Sequence, residues 1–520
     1  MRSTPIEEEA RSSALRIRQD KGNRFLSIVE ACRWPATLVA LLLTVLWFDH
    51  SGWGNFDASY DSGVYLESAR MIRRGYSQYD AVFGSQPPLW LPLLRLSFVL
   101  FGESFFAGQL MSSAACSITV LAVMAIVAQL RDRSSAVMAG LLVVLAPVEL
   151  SWSRAVIADV PSSAFAAVSI ALVARYASSG SRLWLVLTAV AIAASVLVKA
   201  LGVYTLPPVV LLVLARWRYA SRLDRGAKIY GFSKDVAILG TTIAGLILPV
   251  ALAAGLPKVW DQVVLFHLRA RVSAGAGEPW RMIFNCWPSG GPLQMLIALS
   301  GLCILGGWRG LALLAWVFST ALGLLQQRPL FEHHLLALIP ASAVAAAFGW
   351  GEIATRSLNY WNYSRHGPLC ALGLIAGAAC LIVVFALPFK LLAIARTNGY
   401  FELAAQTEGT PMDLAVAQEL QRLTRPNDSI LTDAPGIAFL AHRDVPPGLT
   451  DTSFTRMAAG YLSAQQVIDE INSSHVQAAL LWTGRLAQMS AVVASVNAHF
   501  PRHHDFGNGR GLFLPPAPLH

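Results

Sequence analysis

Blocks of apolar sequence near 20 residues long recur along this chain, and each has about the length of a helix that crosses a bilayer. Such segments fold as helices, because hydrocarbon offers the backbone no hydrogen-bond partner. We place spans at Trp34–Phe48, Ala107–Leu130, Ser135–Leu150, Ala158–Ala177, Leu183–Val198, Leu201–Trp217, Val236–Leu256, Pro292–Gly307, Leu311–Gln326, Leu335–Trp350 and Leu369–Leu392, about eleven in all. Composition agrees. The 520 residues are 55% hydrophobic and only 14% charged, a balance that excludes an ordinary soluble domain. The fold class expected is an all-α polytopic membrane protein. Leu89–Phe101 is apolar but short, and reads as an interfacial helix that starts at Pro87-Pro88.

Basic residues set the orientation. Clusters fall at Arg16–Arg33, at Arg131 and Arg133, at Arg216–Lys234 and at Arg356–Arg365. With eleven spans all four land on one face, which by the positive-inside rule is cytoplasmic. The net charge of +9 is thereby explained by juxtamembrane anchors, and no nucleic-acid partner is expected. Residues 1–33 are then a cytoplasmic segment, and their mixed charge does not read as a cleavable signal peptide. Residues 34–392 form the transmembrane domain, with a first external loop over residues 49–106. Residues 393–520 change character. Met412–Leu423, Ala464–Asn472 and Leu486–Ala498 read as helices, and Ser429–Thr432 and Val476–Trp482 as strands. Their alternation predicts a small C-terminal α/β domain on the extracytoplasmic side. The six cysteines show no metal-ligand spacing and read as small apolar residues.

The polar residues outside the basic clusters are more telling. Asp57, Asp61, Glu67, Arg154, Asp159, Lys199, His267, Arg269, Arg271, Glu332, His333 and His334 all map to the external face or to the outer end of a span. Ionisable groups beside hydrocarbon are expensive and mark function or pair with one another. A wet external loop accounts for Glu67 and Asp57. It accounts less well for Asp159 and Lys199, which sit tight against apolar runs. Asp61 and Tyr65 are spaced i, i+4, so one helix face carries the acid and the ring together. Gly75 ends that helix. Asp61 also suits a helix N-terminal cap, and Asp159, just before Val160-Pro161, suits another.

The run from Asp61 to Trp90 ("DSGVYLESARMIRRGYSQYDAVFGSQPPLW"), then "LFGESFFAGQL", resembles the ArnT-like and protein O-mannosyltransferase superfamily, polytopic glycosyltransferases of the GT-C fold. "SRAVIADVPSSAF" is similar to that family's Arg and Asp-x-Pro at the outer start of the fourth span. "FEHHLLALIP" is similar to its His- or Tyr-rich stretch before a late span. Two positions depart from the pattern. Ser62 stands where a second acid follows the first, and Gln86 replaces the Lys that precedes Pro-Pro in the aminoarabinose transferases. The second departure argues against the aminoarabinose reaction itself.

The resemblance implies a sugar donor on polyprenyl phosphate and a glycan, lipid or protein acceptor on the external side, with transfer by inversion. It assigns Asp61 as the carboxylate that takes the acceptor proton, with Asp159 as a second acid that orients the acceptor. Tyr65, Arg154, Lys199, Arg269, Arg271 and His334 are the expected substrate-binding residues, since guanidinium and ammonium groups hold a leaving phosphate. An ordinary interfacial role competes for each arginine. Adjacent histidines are not a helical metal-ligand spacing, so no metal site and no required cofactor are expected; a divalent cation between Asp61 and Asp159 is the alternative. His333 reads as an interfacial polar residue. Trp90 is a candidate for sugar stacking, although an aromatic belt explains it equally. A transporter or lipid flippase also needs many spans and buried charge, but neither repeats nor broken midplane helices are apparent. A non-catalytic assembly subunit of the same fold is the other alternative. The location expected is a bacterial inner membrane.

Overall fold

The computed structural model describes residues 54–273 apart from 57, 58, 145 and 221–223, residues 299–363 together with 279 and 283, and residues 410–516 apart from 427, 474 and 475. Trp34–Phe48, Leu369–Leu392, the first seven residues of Pro292–Gly307 and Asp57 lie outside the described residues.

The chain is mostly helical. Helix α1 (Tyr60–Arg73) and helix α2 (Trp90–Phe101) precede a bundle made of α3 (Phe105–Leu130), α4 (Arg133–Val144), α5 (Pro147–Trp152), α6 (Asp159–Ser179), α7 (Arg182–Val198), α8 (Leu206–Arg218) and α9 (Arg225–Ala253). A π-helical turn, Trp260–Leu265, runs into α10 (Phe266–Ser273). Two long helices follow, α11 (Gly307–Gln326) and α12 (Leu338–Tyr363), each entered through a 3-10 turn. Among the described residues six helical runs are long and apolar enough to cross a membrane: Phe105–Leu130, Asp159–Ser179, Ala200–Arg218, Arg225–Ala253, Gly301–Gln326 and Glu332–Arg356. Three shorter apolar helices are α2, α4 and α7. The apolar block Ser135–Leu150 is broken at Pro147, so α4 ends at Val144 and the short α5 follows.

Helix α6 packs between α3 and α7, and α12 packs on α4 and α11. Their buried faces form one core that includes Val123, Met124, Ile170, Ile192, Trp316 and Phe348. The helix directions alternate, so Arg131, Arg175, Arg182, Arg218, Arg309 and Arg356 collect at one end of the bundle. Arg131 also pairs with Glu352 at 3.0 Å, tying the end of α3 to α12 there. The other end carries the starts of α6 and of the Glu332 turn and the end of α7.

Residues 411–514 build a four-stranded sheet of order β1-β2-β4-β3, with β1 Ser429–Thr432, β2 Val476–Leu481, β3 Arg502–Gly507 and β4 Arg510–Leu514. β1 and β2 are parallel, and the other pairs are antiparallel. The helices of this unit are α13 (Pro411–Leu423), α14 (Pro435–Leu440), α15 (Phe454–Ala458), α16 (Ala464–Asn472) and α17 (Ser490–His499). The unit is not a loose appendage. Ile437, Phe439, Leu480 and Leu512 share a core with Leu66, Trp90, Leu94 and Phe105 of α1, α2 and α3. Helix α1 is therefore the slab between sheet and bundle. Gly63 makes that contact close: a Cβ on it would lie 2.4 Å from the Gly436 nitrogen of α14.

A buried ionic clamp fixes the far end of α1. Arg70 donates to Glu67 at 2.9 Å, to Glu103 at 2.6 Å and to the carbonyls of Arg443 and Phe439, and it lies 4.0 Å over the Phe439 ring. Glu67 accepts from the Val445 amide at 3.0 Å. The expectation that Glu67 is a wet loop acid is thus corrected: it is wholly buried between Arg70 of its own helix and the Val445 amide, 378 residues further on.

Candidate active site

Three local breaks in helical structure meet at the end of the bundle away from the arginines. The first is the start of α1, where Ser59 is the N-cap and Asp61 sits in the first turn. The capping role considered for Asp61 thus belongs to Ser59. The second is the start of α6, where Asp159 is the first-turn acid. The third is Lys199, which leaves α7 in extended backbone (φ −152°, ψ 134°) before the chain resumes as a 3-10 turn.

Asp159 and Lys199 form a buried pair. The Lys199 ammonium donates to Asp159 Oδ2 at 2.6 Å, and the two side chains are only 9% and 3% exposed. Taking both charges out of water costs several kcal/mol per ion and is offset only by close pairing. His333, in the 3-10 turn Glu332–Ala337, stands between the acids. Its Nε2 lies 3.6 Å from Asp61 Oδ2 and 3.8 Å from Asp159 Oδ2. The ring is held by stacking on Phe331 and by edge contacts with Trp152 and His334. His333 was expected to be merely interfacial, with His334 the more informative. In the structure it is His333 that lies near both carboxylates. His334 is buried beside it and takes the Phe331 amide on Nδ1 at 3.4 Å.

Asp61 differs from Asp159 in that its side chain is 39% exposed. Partial burial pushes its carboxyl up from the ordinary range, opposed by the charges of His333 and Lys199 and reinforced by Asp451 and Asp159. Tyr65 lies one turn further along α1, its ring packed edge-on against Trp90 at 5.6 Å. Burial first, then the nearby Asp61 and Asp159, hold its hydroxyl well above the usual phenol range, so it stays protonated as a donor. Gln86 stands beside Tyr65. Trp90 itself is wholly buried and supports Tyr65, so it offers no face to a sugar.

Ser62, the departure from the two-acid pattern, is also explained. It is fully buried and accepts the Val156 amide at 2.9 Å, which pins α1 to the turn segment before α6. Arg154 lies half-buried in the turn between α5 and α6. Arg269 is exposed on α10, with its guanidinium 5.2 Å from the Tyr461 ring. The side chain of Arg271, in the same helix, lies outside the described residues.

The C-terminal unit contributes residues that no sequence pattern marked. The Tyr60 hydroxyl donates to Asp451 at 3.2 Å and accepts from the Thr452 amide at 2.6 Å. Arg485 lies 3.7 Å over the Tyr60 ring. These contacts span nearly 400 residues, so nothing local announces them. Asp451, Thr452 and Arg485 thus surround the Tyr60 side chain at the first turn of α1.

The arrangement also carries metal-ligating atoms. Donor atoms of Asp159, His333 and His334 all lie within 4.8 Å of one another. Asp159 Oδ1 is buried with no hydrogen-bond partner among the described residues. The three could hold a divalent ion of borderline softness. Lys199 already supplies a positive charge to the other Asp159 oxygen, so the pair is neutralised without one. A small cavity of about 20 Å³ behind the pair is lined by Ser162, Thr205 and Thr320, room for about one water.

Residues 85–225 match the model of a family described as dolichyl-phosphate-mannose-protein mannosyltransferase. The structure is similar to ArnT from Cupriavidus metallidurans in the apo state, with TM-score 0.64, 13% identity, and coverage of 93% of this chain and 98% of that one. The same protein bound to undecaprenyl phosphate gives TM-score 0.64 at 13% identity, covering 94% and 99%. The Archaeoglobus fulgidus oligosaccharyltransferase tethered to an acceptor peptide gives TM-score 0.52 at 11% identity, covering 94% of this chain and 75% of that one. No curated protein sequence matches significantly. The resemblance carried by Asp61, Pro87-Pro88 and the Arg154–Asp159 run is upheld, and the fold is GT-C.

Proposed function

We propose that this chain of GT-C fold is an integral membrane glycosyltransferase that moves a sugar from a polyprenyl-phosphate donor to an acceptor outside the cytoplasm. The observation that carries the reading is the meeting of Asp61, His333, Asp159 and Lys199 at one end of the bundle. Undecaprenyl phosphate bound to the similar ArnT supports a lipid-phosphate donor. The mannosyltransferase family match supports sugar transfer.

In this reading the acceptor oxygen attacks the anomeric carbon as the bond from that carbon to the phosphate oxygen breaks. The sugar inverts, and polyprenyl phosphate leaves with the bonding pair. The acceptor proton passes to Asp61, whose raised carboxyl makes it a better base than an ordinary aspartate. His333 and Tyr65 orient that carboxylate from either side. Lys199 is the point charge for the developing phosphate, held in place by Asp159. Arg269, Arg271, Arg154 and His334 are assigned to substrate binding around that centre. The arginine-rich end of the bundle faces the cytoplasm, and residues 393–520 stand outside it, in a bacterial inner membrane. Gln86, in place of lysine, argues for a sugar other than aminoarabinose.

The test is transfer from a panel of labelled polyprenyl-phosphate sugars by the full chain in detergent, wild type against Asp61→Asn, with and without chelator. Turnover by wild type that falls at least about a hundredfold in the variant, with donor binding kept, is the expected result. Equal turnover by both proteins overturns the assignment of the base. Loss of turnover with chelator would give Asp159, His333 and His334 a metal.

A further inference from the structure

We infer that Arg485 of the C-terminal unit is an anion-binding residue, built to hold a phosphate group at the edge of the Asp61 site.

The buried arginines of this part of the molecule are occupied by hydrogen bonds. Arg70 serves two carboxylates and two carbonyls. Arg443 donates to Thr424, Ala441, His442 and Gln421. Arg456 donates to the carbonyls of Gly448 and Asp451. Each can be read as structural. Arg485 is different. Its Nε, like that of Arg456, is buried without a partner, but Arg456 also donates twice through Nη1, whereas no acceptor among the described residues is hydrogen-bonded to the Arg485 guanidinium. Instead the group is gripped by two rings, Tyr60 at 3.7 Å and Phe454 at 5.0 Å. Ring contact fixes the plane of a guanidinium and leaves its in-plane N–H groups directed outward.

The loop that carries it is rigid. Buried Asp433 accepts the backbone amides of Trp482, Thr483 and Leu486 at 2.7, 3.0 and 3.2 Å. Thr483 Oγ1 also donates to the Asp433 carbonyl at 2.9 Å. Arg485 is thus a pre-placed fork with unused donors, which is the geometry that recognises a phosphate in bidentate fashion. Tyr60 immediately precedes Asp61, so Arg485 sits against the first turn of α1, the turn that carries the proposed base. Asp451, the acid nearest the Tyr60 hydroxyl, is already engaged by Tyr60 and by the Ser453 amide at 2.8 Å. The chemistry recognised is a phosphate ester, borne either by the lipid donor or by the acceptor. Only that choice of bearer rests on the glycosyl-transfer reading.

The experiment is arginine-selective labelling with phenylglyoxal on the full chain in detergent, followed by peptide mapping. Labelling of Arg485 is timed with undecaprenyl phosphate, with undecaprenol, with inorganic phosphate, and with chloride at matched ionic strength. Arg443 serves as the internal control. We expect a phosphate-bearing ligand at saturation to slow labelling of Arg485 by about tenfold. Undecaprenol and chloride leave it unchanged. Protection by undecaprenyl phosphate at low concentration assigns the group to the donor. Protection by inorganic phosphate with none from the lipid assigns it to the acceptor. The inference is overturned if Arg485 does not label, if no phosphate protects it, or if undecaprenol protects as well as its phosphate. Arg485→Gln should weaken binding of the protecting ligand, and Arg485→Lys should restore part of it. A purely structural clamp on Tyr60 predicts no protection at all. Protection in a protein that shows no sugar transfer would leave the anion site standing and remove the enzymatic reading.

Discussion

At Lys199 the chain leaves α7 in extended backbone and turns its ammonium onto Asp159, where both groups are out of water. Removing one partner strands the other. Lys199→Met should therefore cost about 3–5 kcal/mol, and the double change with Asp159→Asn should recover much of that loss. Thermal unfolding of the two variants side by side checks it; equal loss in both would mean the pair is not coupled. A second prediction concerns Asp61. Asp451 is one of the like charges that raise its carboxyl. Asp451→Asn keeps an acceptor for Tyr60 but removes that charge, so the Asp61 carboxyl drops. If Asp61 must be ionised to accept a proton, the acid limb of the rate profile moves to lower pH. An unmoved limb would mean another group sets it. Glu67 gives the third. Burial, offset partly by Arg70, pushes it to about 7 from an ordinary 4.5. A raised acid favours the folded state below the unfolded value, and that contribution is lost as pH rises through about 7. Stability should thus fall between pH 4.5 and 7, and Glu67→Gln should flatten the slope. Asp159 and Lys199 stood out in the sequence because a charge against an apolar run must be paired or used, and Asp61 stood out through the family resemblance. Tyr60, Asp451 and Arg485 were not, because their partners lie across most of the chain. The place of His333 near both acids was not readable, because spacing rules for helices do not apply to a 3-10 turn.

Helix α1 is the element on which the site depends. Ser59 starts it, Gly75 (φ +101°) follows its last turn, and Ser62, Gly63 and Arg70 lock it on three sides. Gly63→Ala would push a Cβ to 2.4 Å from Gly436 backbone, whereas Gly436→Ala meets Gly63 only at 3.3 Å. The first change should cost about 1–3 kcal/mol and reduce turnover by tilting Asp61, the second less. Unfolding and activity of both variants decide it; the reverse order would show that α1 can shift freely. Element boundaries were legible where periodicity was strong. Ser429–Thr432 and Ala464–Asn472 have the bounds their apolar pattern gives. The block Ser135–Leu150 read as one helix and is two, since Pro147 outweighs its apolar content.

At the scale of the molecule, the bundle is two-faced. One end gathers arginines, and Arg131 and Glu352 tie α3 to α12 there. The other end gathers the acids, Lys199 and the histidines. The fold class was readable from the apolar blocks alone. What could not be read was that residues 411–514 share a core with the first external helices, since a hydrophobic face does not state which surface it meets. The Arg70 clamp adds a question of time. Arg70 needs carbonyls of Phe439 and Arg443, which lie 369 and 373 residues further on. At about 5–20 residues per second the ribosome takes roughly 20–75 s to deliver them. For that interval the guanidinium of the newborn helix has its carboxylate partners, Glu67 and Glu103, but not its two carbonyls, and the clamp closes only when the last hundred residues return to the first.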